Sequence, residues 1–232
     1  MLKIQYVSNI CWKTKSISKV SIKQTSPYLA LAGNIGDVND KDYTCFVDNV
    51  CKDFDKVFLV PGPKEYHGSN LKATRLYLDN LEAHNSNFHV IDNSKVCLNN
   101  DYVIVGSTLW PNTNTMALMY DEQLSNIKDE FGNYLTSHKL KVMHLKCKDF
   151  VKKELSIAAQ AGKKCIVISH FSPYNEINGE GEFYIPKVAY SNYSSDLIEL
   201  FDSPLVQWIC GAMHTESEVL INGIPVCCNN KV

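Results

Sequence analysis

The sequence is poor in arginine. Arg75 is the one arginine among 23 lysine and arginine residues in a chain of 232 residues, and the formal net charge is −2. Arginine supplies the bidentate hydrogen bonds by which proteins recognise phosphate groups and guanine. A chain that is nearly neutral overall also has no basic field to attract a polyanion. We therefore expect no nucleic-acid partner.

The sequence also lacks long apolar runs. No run reaches the length of about 18 residues that a membrane-spanning helix requires. Lys3, Gln5 and Ser8 interrupt the first ten residues, where a signal peptide would carry its apolar segment. The nine cysteines are scattered through predicted strands and helices instead of marking a small disulfide scaffold. We expect no membrane association and a reducing, cytoplasmic compartment.

The composition predicts one folded domain over residues 1–232. Hydrophobic residues make up 45% of the chain and charged residues 21%, which is enough apolar material for a core of its own. Short apolar runs alternate with longer amphipathic stretches. This alternation is typical of an α/β protein with buried strands.

Seven apolar runs predict strands, and two segments predict helices. The predicted strands are Ile4–Ser8, Tyr28–Ala32, Lys56–Val60, Phe88–Asp92, Tyr102–Thr108, Lys164–Ser169 and Gln207–Cys210. Apolar residues at helical spacing predict helices around Cys45–Phe54 and Val151–Ala159. The pair Asn222-Gly223 between two apolar runs predicts a β-hairpin near the C-terminus.

Five short motifs each follow a predicted strand. They are Val7-Ser8-Asn9-Ile10-Cys11, Leu31-Ala32-Gly33-Asn34-Ile35-Gly36-Asp37, Val60-Pro61-Gly62-Pro63-Lys64-Glu65, Val167-Ile168-Ser169-His170-Phe171-Ser172-Pro173 and Trp208-Ile209-Cys210-Gly211-Ala212-Met213-His214. In α/β proteins the loops at strand ends gather on one side of a sheet, where ligands usually bind. We therefore expect these motifs to share one cleft.

In order and rough spacing, the five motifs resemble those of the calcineurin-like metallophosphoesterases. That family carries DxH, GDxxD, GNHE, a lone His after a strand, and GHxH. The segment Val105-Gly-Ser-Thr-Leu-Trp110 is also similar to a GTTLW-like strand in one branch of the family. The resemblance spans nearly the whole chain. It implies an α/β fold in which a two-sheet β-sandwich is flanked by α-helices in four layers, αββα, with two metal ions at the strand ends.

Most metal-binding letters of the family pattern are replaced. The eight corresponding positions hold Asn9 and Cys11 for DxH, Asn34 for the bridging Asp, Pro63 and Lys64 for the Asn and His of GNHE, His170 for the lone His, and Ala212 and His214 for GHxH. Two of the eight, His170 and His214, keep the family's residue. The framework letters, in contrast, are retained at Gly33, Asp37, Pro61, Gly62, Glu65, Pro173 and Gly211. The resemblance thus implies a retained fold with a degenerate site.

The replacements remove the charge that two metal ions need. An Asn at position 34 keeps the shape of the bridging Asp but not the anion that offsets two dications held close together. Pro63 and Ala212 offer no side-chain donor, and Lys64 brings a positive charge into a site meant for cations. We therefore expect no catalytic residue and no cofactor.

The leading interpretation is a catalytically inactive homologue, a pseudoenzyme that acts as a protein-binding, structural or regulatory module. Its partner would be another protein or a second copy of itself. Frequent Asn, Lys and Ile together with a single arginine are typical of an AT-rich genome, such as that of a large DNA virus or a parasite. A viral origin would make the virion a second possible location.

Two alternatives remain open. A weak or one-metal phosphomonoesterase or phosphodiesterase would hold a single zinc or manganese ion through Cys11, His170 and His214, with Asn34 as a weak further ligand. A phosphate or nucleotide sensor would hold a phosphate-like anion on the Lys64 ammonium, which could otherwise neutralise Glu65. Packing alone would make Cys11 a small buried side chain and the two histidines hydrogen-bonded residues of the core or cleft.

Overall fold

The computed structural model describes residues 2–10, 17–119, 121–174, 195–212 and 217–228. Its strands are β1 (Ile4–Val7), β2 (Tyr28–Leu31), β3 (Lys56–Leu59), β4 (Phe88–Val90), β5 (Ser94–Cys97), β6 (Tyr102–Ser107), β7 (Lys164–Ser169), β8 (Leu205–Cys210), β9 (Ser217–Ile221) and β10 (Ile224–Cys228). Its α-helices are α1 (Tyr43–Asp53), α2 (Leu71–His84), α3 (Thr115–Met119), α4 (Glu122–Ser125) and α5 (Ser137–Gln160).

The strands form two sheets. The smaller sheet has the order β1-β2-β3-β4 and is parallel throughout. The larger sheet has the order β5-β6-β7-β8-β10-β9, in which the outer strands β5 and β9 run antiparallel to their neighbours. The carboxyl ends of the parallel strands within each sheet therefore lie along one edge.

Three apolar layers hold the sheets and helices together. Successive side chains of a strand point to opposite faces, so Leu29 and Leu31 of β2 pack outward against α1 and α2, whereas Ala30 packs inward. The inward layer joins the two sheets, with Phe58 of the smaller sheet in the same cluster as Ile168 of the larger one. Helix α5 covers the outer face of the larger sheet. The predicted four-layer αββα sandwich is confirmed.

The seven predicted strands are present with ends within two residues of the prediction, but β5, α2, α3, α4 and the first half of α5 were not predicted. Helix α2 buries only Thr74, Leu78 and Leu81, so its apolar stripe is too narrow to stand out in the sequence. The first half of α5 was also missed, because lysines separate its buried positions. The N-terminal caps of α2 and α5 are residue types that commonly begin helices. Asn70 and Thr136 each accept a hydrogen bond from a backbone N–H of the first turn.

The predicted C-terminal hairpin is present. Asn222 and Gly223 both have positive φ angles, 50° and 79°, as a tight two-residue hairpin turn requires. Ile221 and Ile224 face each other across the turn. Among the described residues, no helix is both long enough and apolar enough to cross a membrane.

Gly106 of β6 provides a test of how closely the sheets approach. A methyl group added there would overlap the backbone oxygen and the side chain of Ile91. Backbone cannot move aside cheaply, so we expect Gly106→Ala to lower the free energy of unfolding by about 3 kcal/mol or more. Urea denaturation measures this loss.

Gly162→Ala is the matched control for Gly106→Ala. Its added methyl group would meet no atom within 4 Å, although its φ angle is +64°. The left-handed backbone alone costs about 1 kcal/mol. Equal losses for the two variants would show that the contact between Gly106 and Ile91 is not a tight constraint.

Candidate functional site

The loops after β1, β2, β3, β7 and β8 meet at one place. Backbone hydrogen bonds continue the ladders beyond the strand ends, since Ala32 donates to the oxygen of Val7 and Val60 donates to the oxygen of Leu31, at 2.9 and 3.0 Å. Gly211 donates its N–H to the oxygen of His170 at 2.9 Å. The described candidate positions lie together here: Asn9, Asn34, Pro63, Lys64, His170 and Ala212. Cys11 and His214 lie outside the described residues.

Asn9 is buried and turned toward the backbone. Its φ angle is +54°, and its N–H donates to the oxygen of Gly33 at 3.1 Å. Its side-chain Nδ2 donates to the oxygen of Gly211 at 2.6 Å, and Ser8 Oγ donates to the same oxygen at 3.0 Å. Because a carbonyl can only accept, this bond fixes the orientation of the Asn9 amide. The amide thus joins the β1 loop to the β8 loop.

Asn34 uses both ends of its side chain within the protein. The residue is buried and has a φ angle of +55°. Its Oδ1 accepts the backbone N–H of Lys64 at 2.9 Å, and its Nδ2 donates to Oε1 of Gln123 at 3.3 Å. A carboxylate in this place could accept from Lys64 but could not donate to an oxygen. The observed contacts therefore suit an amide.

Glu65 is fully buried, and its carboxylate is held by four backbone N–H groups. Oε2 accepts from Gly62 at 2.7 Å and from Asn34 at 3.0 Å, and Oε1 accepts from Ile35 at 2.6 Å and from Gly36 at 3.3 Å. Burial raises the pKa of Glu65 from 4.5 to about 7, and the four hydrogen bonds act in the opposite direction. The carboxylate therefore ties the β2 loop to the β3 loop.

His170 is enclosed on its Nδ1 side. Nδ1 lies 2.9 Å from the backbone oxygen of Ala32, which can only accept, so Nδ1 carries the proton. A methyl group added at Gly33, Gly62 or Gly211 would come into close contact with Nδ1. Burial lowers the pKa of His170 from 6.5 to about 4, so the ring is neutral at pH 7. Its Nδ1 side is occupied by packing and by the Ala32 contact.

The remaining described positions contribute backbone rather than side-chain chemistry. Pro63 begins a short 3-10 helix, Pro63–Tyr66, and is buried. Lys64 within that helix bonds through its backbone, while its side chain is half-buried and forms no ion pair with another described residue. Backbone N–H groups hold Glu65, so the suggestion that Lys64 neutralises this carboxylate finds no support in these contacts. Ala212 donates its N–H to the oxygen of His170.

Gln123 of α4 is a site residue that the sequence analysis missed. Besides its contact with Asn34, its backbone oxygen lies 3.0 Å from Nε2 of His67. The segment that follows α4 is fixed as well, since Leu71 donates its N–H to the oxygen of Lys128 at 3.0 Å. Helix α4 therefore lies over the position of Asn34. No motif marks Gln123, because its role depends on contacts between distant parts of the chain.

The described residues do not fit a pair of metal ions. Among them, no three His, Cys, Asp or Glu side chains come together as a ligand set. Nδ2 of Asn9 and both polar atoms of the Asn34 side chain are bonded to protein atoms. The Nδ1–H of His170 is bonded to Ala32, which leaves the unprotonated Nε2 as its one potential ligand atom. A metal ion bridged by Asn34 would have to displace the bonds of that side chain, and Asn9, Asn34 and His170 would offer it only neutral ligands in return.

No known protein-family model matches the sequence. The chain is similar to a viral protein, an uncharacterized protein of Acanthamoeba polyphaga mimivirus. The two are 26% identical over 217 residues, which cover 87% of this chain and 77% of the viral protein.

Solved structures with the same fold include enzymes and an anchor protein. Phosphopantetheinyl hydrolase from Mycobacterium tuberculosis has a TM-score of 0.69 and 14% identity, over 98% of this chain and 89% of that protein. A dimetal phosphatase from Danio rerio has a TM-score of 0.55 and 8% identity, over 98% and 86%. GAP50, the anchor in the inner membrane complex of Plasmodium, has a TM-score of 0.55 and 13% identity, over 99% and 71%. The chain thus has a metallophosphoesterase-like fold.

Two buried groups of the site predict opposing effects of pH on stability. The raised pKa of Glu65 lets the folded state hold a proton between about pH 4.5 and 7, so its contribution to the free energy of unfolding falls as the pH rises. The lowered pKa of His170 has the reverse effect between about pH 4 and 6.5. In the wild type the two contributions offset each other.

His170→Asn should separate these effects, because Asn keeps an N–H donor for Ala32 but does not titrate. As the pH rises from 4.5 to 6.5, we expect the free energy of unfolding of the variant to fall by roughly 2 kcal/mol relative to that of the wild type. Urea denaturation at several pH values measures the difference. The exposed His138, changed to Asn, is the control. Parallel pH profiles for His170→Asn and the wild type would contradict the assignment.

Proposed function

We propose that this protein is a catalytically inactive relative of the metallophosphoesterases and acts by binding or assembly. The observation that carries the proposal is the side chain of Asn34, at the position that the motif resemblance assigns to the bridging carboxylate. Both of its polar atoms are bonded within the protein, to Lys64 and Gln123. A bridging ligand must instead direct its oxygens at the metals.

Electrostatics supports the same proposal. Two dications about 3.5 to 4 Å apart repel each other strongly unless anionic ligands offset their charge. Asn9 and Asn34 are neutral, His170 has a pKa of about 4 and is neutral at pH 7, and Lys64 carries a positive charge. Glu65, the buried carboxylate among the described residues of the site, accepts hydrogen bonds from four backbone N–H groups. Hydrolysis through two metals therefore has no electrostatic basis at the described positions.

The comparisons support a binding or assembly role more weakly. The same fold occurs in GAP50, the anchor in the inner membrane complex of Plasmodium, so the fold is compatible with such a role. The mimivirus relative supports a viral origin for this chain. We further propose a reducing compartment, because Cys45 and Cys97 are exposed as free thiols.

Metal content and hydrolysis test the proposal directly. Protein purified without chelator should contain far less than one equivalent of zinc or manganese by elemental mass spectrometry. An aryl phosphate monoester and a diester should be hydrolysed no faster than in buffer with added Mn²⁺. The physical reason is that neutral ligands cannot hold the metals that would activate water.

The same assays can support the enzyme alternative instead. Near-stoichiometric metal, with turnover that His214→Ala abolishes and His138→Ala preserves, would overturn the inactive assignment. His138 is an exposed histidine on α5 and serves as the matched control for a general effect of losing a histidine.

Restoring the family's residues provides a second test. We expect Mn²⁺ to leave the melting temperature unchanged both in the wild type and in Asn34→Asp, because one carboxylate does not replace the other missing ligands. A variant with all six replaced positions restored, Asn9→Asp, Cys11→His, Asn34→Asp, Pro63→Asn, Lys64→His and Ala212→His, should melt several degrees higher with Mn²⁺ if it folds. A clear Mn²⁺-dependent rise in the wild type would contradict the proposal.

A further inference from the structure

Exposed apolar side chains are concentrated around the start of α5. Of the twelve large apolar side chains that are exposed among the described residues, six belong to residues 116–145. Phe131 is the most exposed of the twelve, at 80%. Isolated apolar residues on a surface are ordinary, but a local concentration with an aromatic side chain indicates an interaction surface.

A rigid turn displays Phe131. In the turn formed by residues 128–134, Oδ1 of Asp129 accepts the backbone N–H groups of Phe131 and Asn133, both at 2.9 Å. Asp129 also bonds through its backbone to Asn133 at 2.8 Å and to Gly132 at 3.1 Å. Gly132 has a φ angle of +87°, which suits the tight turn. Because the backbone of the turn is already fixed, binding would cost mainly the rotational freedom of the Phe131 side chain.

A pocket lies at the other end of α5. It has a volume of about 780 Å³ and is lined by the C-terminal end of α5, the start of β8 and the β9–β10 turn. Phe201 is a buried part of the lining, and Ile198 and Val206 are exposed, at 43% and 36%. Asp202 adds a negative charge to the lining. We call this the basal pocket, and its volume is sufficient for an aromatic side chain and its turn.

The turn and the basal pocket are separated by the length of α5. Glu130 of the turn forms an ion pair with Lys139 in the first turn of α5, at 2.8 Å. Ala159 in the last turn of α5 lines the basal pocket. Lys139 and Ala159 are 20 residues apart in this helix, so the two features lie about 30 Å apart along it. They cannot contact each other within one molecule.

The pocket lining carries charges of both signs, at Lys163, Lys164, Glu199 and Asp202. The turn and the pocket each contain a charged side chain of opposite sign that is available for an ion pair between copies. Lys128 lies 5.5 Å from the ring centre of Tyr134 and, within the described part of the chain, forms no ion pair. Asp202 is likewise exposed and has no ion-pair partner among the described residues. With Phe131 inserted into the basal pocket of a second copy, Lys128 would come near Asp202. Lys163, which also lines the pocket, would face Glu130.

We propose that copies of this protein associate head to tail, with the 128–134 turn of one copy inserted into the basal pocket of the next. Such a contact uses two different surfaces, so each added copy presents a new turn and a new pocket. The product is a ring if the rotation closes and a linear filament if it does not. This inference rests on the assembly role proposed above and gives that role a partner, a second copy of the chain.

Sedimentation velocity over a range of concentrations tests the contact. The wild type should form species larger than a monomer at high concentration. Phe131→Asp should weaken the association at least about tenfold, because it removes the apolar anchor and places a negative charge beside Asp202. Ile198→Lys should weaken it similarly from the pocket side, since it would repel Lys128. Leu76→Asp, at a residue of α2 that is 61% exposed, is the control and should associate like the wild type.

Mixing the two defective variants distinguishes head-to-tail association from a symmetric dimer. Phe131→Asp keeps an intact pocket and Ile198→Lys keeps an intact turn, so an equal mixture should form dimers that cannot extend further. A symmetric contact of turn with turn would not be rescued by mixing. Circular dichroism and thermal unfolding of each variant establish that it is folded. If one variant fails to fold, Lys128→Asp should weaken association, and its mixture with Asp202→Lys should restore dimers.

Three results would overturn the inference. They are a wild type that stays monomeric up to about 1 mM, association that Phe131→Asp leaves unchanged, and a mixture of folded variants that remains monomeric. None of these results would indicate metal binding or hydrolysis. Failure of the proposed association is therefore distinguishable from failure of the proposed inactivity. Conversely, metal-dependent turnover by a protein that also assembles would overturn the inactivity alone.

Discussion

The site depends on a single buried carboxylate. Glu65 accepts hydrogen bonds from four backbone N–H groups in the loops after β2 and β3, and so fixes the two loops against each other. Without these bonds, the four N–H groups would lose their partner in a region that water does not reach. The positions of Asn34, Lys64 and Gly62 all follow from this anchor. It preserves the shape of the site independently of any metal.

Around this anchor, three of the positions that the motif resemblance assigns to metal ligands are bonded to other protein groups. Asn34 links the backbone of Lys64 to Gln123, Asn9 links two loops through the oxygen of Gly211, and His170 bonds to Ala32. Each of these bonds joins neutral groups and stabilises the loops without charge repulsion. Asn9, Asn34 and His170 are therefore parts of a packed structure.

Sequence patterns predicted the strands because buried parallel strands form short, continuous apolar runs, such as Lys164–Ser169. They also predicted which positions would meet, since strand ends share an edge of the sheet. They failed for α2, whose buried face is narrow, and for Gln123, whose contact with Asn34 joins positions 89 residues apart. Local patterns carry no information about such contacts. The exposed 128–134 turn near the start of α5 and the basal pocket at its end are likewise marked by no sequence motif.

The three glycines around His170 have a consequence for how such a protein can change. Gly33, Gly62 and Gly211 leave no room for a side chain beside Nδ1, so packing alone is sufficient to retain them. Their presence in a sequence therefore reports the shape of the loops and does not report catalysis. A protein of this fold can keep the three glycines whether or not it binds a metal. On the proposed function, a gain of metal binding would require several substitutions together, because Asn34→Asp alone loses the bond to Gln123 without completing a ligand set.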